Sequence, residues 1–156
     1  MNIKVGKKAP GFCLPDQNDE TRCLKDYVGK WVLVYFYPKD DTPGCTKEAC
    51  GMRDNLSNFN RIDLVVLGIS KDSVKSHQKF AKKYNLNFPI LADEDTKVNQ
   101  LYEVWQSKKF MGREFIGTVR SSFLIDPEGK IAKIYNNVKP EGHAQEVITD
   151  LSEKVQ

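Results

Sequence analysis

Cys45 and Cys50, five positions apart in Cys45-Thr46-Lys47-Glu48-Ala49-Cys50, are the side chains of this 156-residue chain whose type and spacing most directly suggest chemistry. Cys45 ends the run Pro38-Lys39-Asp40-Asp41-Thr42-Pro43-Gly44, which leaves an apolar strand and enters a helix. Thr42 suits the N-cap and Pro43 the first helical position, so Cys45 falls in the first helical turn. Unpaired backbone N–H groups and the positive end of the helix dipole favour an anion there, and a nucleophilic thiolate is expected. A small buried residue at a helix end is the competing reading.

Helix geometry places the Cα atoms of Cys45 and Cys50 roughly 8 to 9 Å apart, whereas a disulfide needs less than about 7 Å. If the two bond, the first turns of the helix must unwind. Gly51, about 1 kcal/mol poorer than Ala in a helix, makes that easier. Equally, Cys50 could simply pack. A metal site is disfavoured, because no nearby His or further Cys supplies the spacing of a zinc motif. His77 lies on an apolar helical face, and His143, near the start of the last helix, has no paired acid in the sequence. Neither is assigned to the chemistry.

The elements that must position these residues follow from periodicity. Trp31 to Tyr37 (WVLVYFY) reads as a central strand covered on both faces, and Ile62 to Ile69 as a second. Between them Ala49, Met52, Leu56 and Phe59 recur at helical spacing, predicting a helix over about 43–60 and thus a βαβ unit. Val74, His77, Ala81 and Tyr84 mark another helix, with Ser70, Asp72 or Ser73 available as its cap, and Pro89 opens an extended stretch to Ala92. Thr96 is expected to cap a short helix through Tyr102, and 108–117 to form an irregular loop or hairpin. Ser121–Ile125 and Ile131–Tyr135 flank the turn Asp126-Pro127-Glu128-Gly129, and Ala144, Val147, Ile148 and Leu151 define a closing helix. The order predicts an α/β fold, a mixed sheet with helices on both faces, compatible with a thioredoxin-like core in one domain spanning 1–156.

Composition agrees with this. With 40% hydrophobic and 29% charged residues the chain looks globular, and no stretch is apolar enough to span a bilayer. The net charge of +3 comes with scattered lysines, which argues against a nucleic-acid partner. The N-terminus MNIKVGKKAPGF lacks the apolar core of a signal peptide, so a cytoplasmic, reducing location is expected, with the four cysteines serving chemistry or core rather than a disulfide scaffold.

The segment FYPKDDTPGCTKEAC resembles the active-site segment of the peroxiredoxins, specifically the bacterioferritin comigratory protein (Q-type) group. The family pattern lies on Pro38, Thr42 and Cys45, with a resolving cysteine at Cys50. The likeness continues through GKKAPGF, LGISKDSVKSHQKFAKKY, LADED, RSSFLID and the GHA segment. It implies a thioredoxin-like fold and reduction of hydrogen peroxide and organic hydroperoxides without cofactor or metal. Cys45 would become a sulfenic acid, Cys50 would condense with it, and thioredoxin would reduce the disulfide. It further implies that Arg120 keeps Cys45 ionised and holds the peroxide, that Thr42 turns its hydroxyl to the thiolate or peroxide, and that Pro38 shields the pocket. From the bare sequence, a surface ion pair suffices for Arg120, and cap and turn roles for Thr42 and Pro38. The group implies a monomer, with a dimer as the alternative. The chain departs from the pattern in Gly11, where Asp is common, and in Cys13 and Cys23, expected to be partly buried small residues, with a secondary redox role as the alternative. Two other functions remain open: a disulfide reductase, disfavoured by the Cys45–Cys50 spacing, and a redox sensor or holdase that does not turn over peroxide.

Overall fold

The computed structural model describes residues 3–154. In chain order the strands are β1 (Cys13–Pro15), β2 (Thr21–Cys23), β3 (Trp31–Phe36), β4 (Leu64–Ser70), β5 (Ile90–Ala92), β6 (Trp105–Phe110), β7 (Arg113–Thr118), β8 (Ser121–Ile125) and β9 (Ile131–Tyr135). The helices are α1 (Pro43–Asp54), α2 (Leu56–Arg61), α3 (Val74–Tyr84), α4 (Lys97–Leu101) and α5 (His143–Lys154). Five strands form the central sheet in the order β5-β4-β3-β8-β9, parallel from β5 to β3 and antiparallel from β3 to β9. This is the mixed α/β sheet of a thioredoxin-like core. No helix among the described residues is long and apolar enough to cross a membrane.

The unbroken apolar run of β3 is explained by its burial on both faces. Leu33, Tyr35 and Tyr37 point into one core with Met52, Phe59, Phe80, Val147 and Leu151, from α1, α2, α3 and α5. Val32, Val34 and Phe36 point into the other, with Phe12, Leu24, Val98 and Tyr102. The period of two in β3 therefore separates the helical layer carrying Cys45 from the opposite layer. Gly68 in β4 is required by one close approach, since a Cβ there would sit 2.9 Å from the ring of Tyr35.

Several boundaries differ from the expectation. The helix expected over 43–60 is two helices broken at Asn55, whose side-chain amide donates to Gly51 O at 2.9 Å, competing with the helical ladder. The strand expected from Ile62 starts at Leu64, because Asp63 turns the chain with φ 53°. Of the three candidate caps for α3, Ser73 serves, accepting from Ser76 N. Thr96 sits at the cap position of α4 in a left-handed conformation without a side-chain cap bond; the buried Asp93 carboxylate accepts from Val98 N and Asn99 N instead. The 108–117 region is a hairpin, β6–β7, closed by Met111 and Gly112, both at positive φ, as a tight two-residue turn demands.

The largest correction concerns Cys13 and Cys23. They are bonded to each other across the β1–β2 pair, and Cys13 is exposed rather than partly buried. The antiparallel register opposes them directly, and the Leu24 N to Phe12 O bond beside them marks the kind of pairing in which Cα atoms approach most closely. The expectation that all four cysteines remain thiols fails for these two.

Candidate active site

The site is built where β3 ends. Tyr37 N donates to Ile69 O, prolonging the ladder by one residue, and the chain then turns through Pro38 to Asp41 before α1 begins. Buried Asp40 anchors this loop. Its carboxylate accepts from Tyr37 Oη (2.6 Å) and Ser76 Oγ (2.8 Å) and faces His77 Nδ1 at 2.7 Å, while its own N–H donates to Asp72 Oδ2. The other His77 nitrogen lies 3.0 Å from Leu91 O, which can only accept, so Nε2 carries a proton. His77 is thus a buried brace between α3, β5 and the loop. Asp41 is left-handed at φ 57° and is held by Lys83 Nζ and Tyr84 Oη.

Thr42 occupies the N-cap position and Pro43 opens α1, but the cap role expected of the Thr42 hydroxyl is not realised: it donates to Lys39 O at 2.9 Å and caps no helical N–H. The loop folds back so that this carbonyl, three residues earlier, is within reach. Pro38 is half-buried at the start of the loop. Cys45 sits in the first turn, 2% exposed and with a free thiol.

Arg120, just before β8, the strand paired with β3, meets Cys45. Its Nη2 donates to Cys45 Sγ at 3.3 Å and its Nη1 to Glu48 Oε1 at 2.6 Å. One guanidinium therefore spans Cys45 and the residue three positions on, which share a helix face. Burial works against the Arg120 charge, yet Glu48 and Cys45 together hold it above its ordinary range. Gly44 makes room for this contact, since a Cβ there would lie 3.1 Å from Arg120 Nη2 and 3.3 Å from Pro140 Cγ.

Glu48, absent from the residues expected at the site, is 1% exposed, and burial outweighs the pull of Arg120 to push its carboxyl up to about 7. Among the described residues its Oε2 finds no hydrogen-bond partner, and neither does the buried Tyr35 hydroxyl. The signal for Glu48 was an acid on the same stripe as Ala49 and Met52, where a carboxylate is rarely buried without a partner. Asp40 gave no such signal, because Asp41 beside it is an ordinary exposed acid.

Cys50 is half-buried, its thiol free, and α1 runs unbroken from Pro43 to Asp54. The helix thus holds the two thiols at the separation that forbids a bond without unwinding. A Cβ on Gly51 would meet nothing within 4 Å, so this glycine serves no packing need. His143 does have an acid partner, contrary to expectation: Nδ1 faces Glu146 at 2.9 Å and Nε2 faces Ser122 Oγ at 2.8 Å. Burial pushes its pKa down against the pull of Glu146. A shallow depression lined by Pro43, Gly44, Lys47, Lys139, Pro140 and Glu141 adjoins the start of α1. A wider one, involving Lys8, Leu24, Tyr27, Val28 and Gly129, shares no residue with the site.

Comparison with known proteins adds four findings. Residues 5–134 match the model of the AhpC/TSA family. The chain is 45% identical over 157 residues to Peroxiredoxin Bcp of Bacillus subtilis, covering 99% of this chain and 100% of that protein. Its fold is similar to that of a Xylella fastidiosa PrxQ variant, with a TM-score of 0.95 and 34% identity over 100% of this chain and 99% of the other. The bacterioferritin comigratory protein of Xanthomonas campestris, studied for its alkyl peroxide reduction activity, has a TM-score of 0.88 and 34% identity over 93% of this chain and 92% of the other.

Proposed function

The chain belongs to the AhpC/TSA family, among its Bcp or Q-type peroxiredoxins, and from that premise we propose that it is a thiol peroxidase acting on hydrogen peroxide and organic hydroperoxides. The observation that carries the reading is Arg120 Nη2 at 3.3 Å from Cys45 Sγ, in the first turn of α1.

The positive guanidinium of Arg120 lies beside the sulfur, and the start of α1 presents the positive end of its helix dipole there. The Cys45 thiolate attacks one peroxide oxygen and the O–O bond breaks. That oxygen stays on sulfur as the sulfenic acid, and the other leaves with its electron pair, taking a proton to become water or an alcohol. Arg120 is suited to stabilise the charge that develops on the departing oxygen, because its donors are already aimed at the sulfur and anchored by Glu48. Thr42 and Pro38, on the loop braced by Asp40, would line the approach. Once the start of α1 unwinds, Cys50 attacks the sulfenic sulfur, water leaves and a Cys45–Cys50 disulfide forms. An external dithiol, for which thioredoxin is our proposal, returns both thiols.

The test is peroxide consumption coupled to a thioredoxin system. Wild type should turn over repeatedly and Cys45→Ser should not. Full activity in Cys45→Ser would remove Cys45 from the chemistry, and a wild type that oxidises once and stops would make the chain a sensor.

A further inference from the structure

Cys13 and Cys23 take no part in the cycle above, yet they are already joined. They lie on strands of three residues each that form a sheet of their own, apart from the central one. Cys13 is exposed and Cys23 half-buried, so an external thiolate can reach the bond at Cys13.

The hairpin holds its shape by other means. Buried Asp16 accepts from Asn18 N, Glu20 N and Arg22 Nε across the turn, at 2.8 to 3.0 Å. Gln17 ties the turn to the body, its amide donating to Phe88 O and accepting from Ile90 N. With the disulfide open, these contacts keep residues 13 and 23 opposed, poised to close again. A bond that is accessible and whose halves are held together without it has the layout of a reversible couple rather than of an indispensable staple.

We propose that Cys13 and Cys23 form a second thiol–disulfide couple, which exchanges two electrons with an external dithiol independently of Cys45 and Cys50. The thiolate of the dithiol attacks Cys13 Sγ, the Cys13–Cys23 bond breaks, and Cys23 leaves as a thiolate and takes a proton. The second thiol of the dithiol then attacks the mixed disulfide at its own first sulfur, releasing Cys13 as a thiol. Two electrons and two protons pass to the pair, and the dithiol leaves as its disulfide. The reverse exchange with an oxidised dithiol closes the bond again.

The test uses no peroxide, so its outcome is separate from that of the peroxidase reading. The Cys45→Ser/Cys50→Ser double variant is equilibrated in graded ratios of reduced to oxidised dithiothreitol, alkylated, and weighed by mass spectrometry. Peptide mapping of the wild type under the same conditions provides the same information if the variant folds poorly. The expected result is a reversible titration of residues 13 and 23 between the bonded pair and two alkylated thiols. A pair that stays bonded in excess reduced dithiothreitol, or that stays open in excess oxidised dithiothreitol, overturns the proposal.

Discussion

Arg120 reaches across 75 positions of sequence to lie 3.3 Å from the sulfur of Cys45, and with its other terminal nitrogen it holds Glu48 at 2.6 Å. This fork fixes both the charge and the direction of the donor facing the thiol. Lys cannot reproduce it, having a single nitrogen to serve two partners. Arg120→Lys is expected to keep the fold and to slow the reaction of Cys45 with peroxide by about 10²-fold, the usual effect of losing one aligned donor in a site of this kind. Stopped-flow measurement of Cys45 oxidation checks this.

Gly44 lets the guanidinium approach. Gly44→Ala places a methyl group 3.1 Å from Arg120 Nη2 and against the ring of Pro140. The peroxide reaction should slow, by an amount between that of wild type and Arg120→Lys, while helix content measured by circular dichroism is unchanged.

Gly51 separates the two halves of the proposed cycle. Its Cβ would meet nothing, so Gly51→Ala stiffens α1 by about 1 kcal/mol without a clash. Formation of the Cys45–Cys50 bond should slow on the order of fivefold, that energy converted to a rate. The initial attack on peroxide should be unaffected. Rapid-quench alkylation at successive times distinguishes the two steps.

Glu48 makes stability depend on pH. Its carboxyl is raised from 4.5 to about 7 in the fold, so between these values the folded state binds a proton that the unfolded chain has lost. This stabilisation is complete below about 4.5 and is lost as pH rises through about 7. Compared with Glu48→Gln, wild type should therefore lose on the order of 2 to 3 kcal/mol between pH 4.5 and 7.5. Urea denaturation of both proteins across this range gives the difference.

Much of this site was legible in the order of residue types, for identifiable reasons. The run Trp31–Tyr37 announced a strand buried on both faces, and Pro43 with the strand before it placed Cys45 in a first helical turn, as found. The contact of Arg120 with Cys45 is a tertiary fact that no local pattern encodes, and only the family likeness pointed to it. Asn55 was invisible as a helix break because the apolar spacing runs on across it, from Met52 to Leu56 and Phe59. The Cys13–Cys23 bond was missed because strands of three residues leave no periodicity to read, so nothing indicated that the two residues face each other. Thr42 was read as a cap from its type, but a hydroxyl takes whichever acceptor the loop brings nearest, and here that is Lys39 O.

The central claim, that Cys45 is oxidised by peroxide and Cys50 resolves it, is tested most directly by treating wild type and Cys50→Ser with one equivalent of hydrogen peroxide in the presence of a sulfenic-acid trap, followed by mass-spectrometric mapping of all four cysteines. Wild type should yield the Cys45–Cys50 disulfide with little trapped product, and Cys50→Ser should accumulate the trapped adduct on Cys45. Wild type in which Cys45 and Cys50 stay unbonded after peroxide, or an adduct on any cysteine other than Cys45, would contradict the claim.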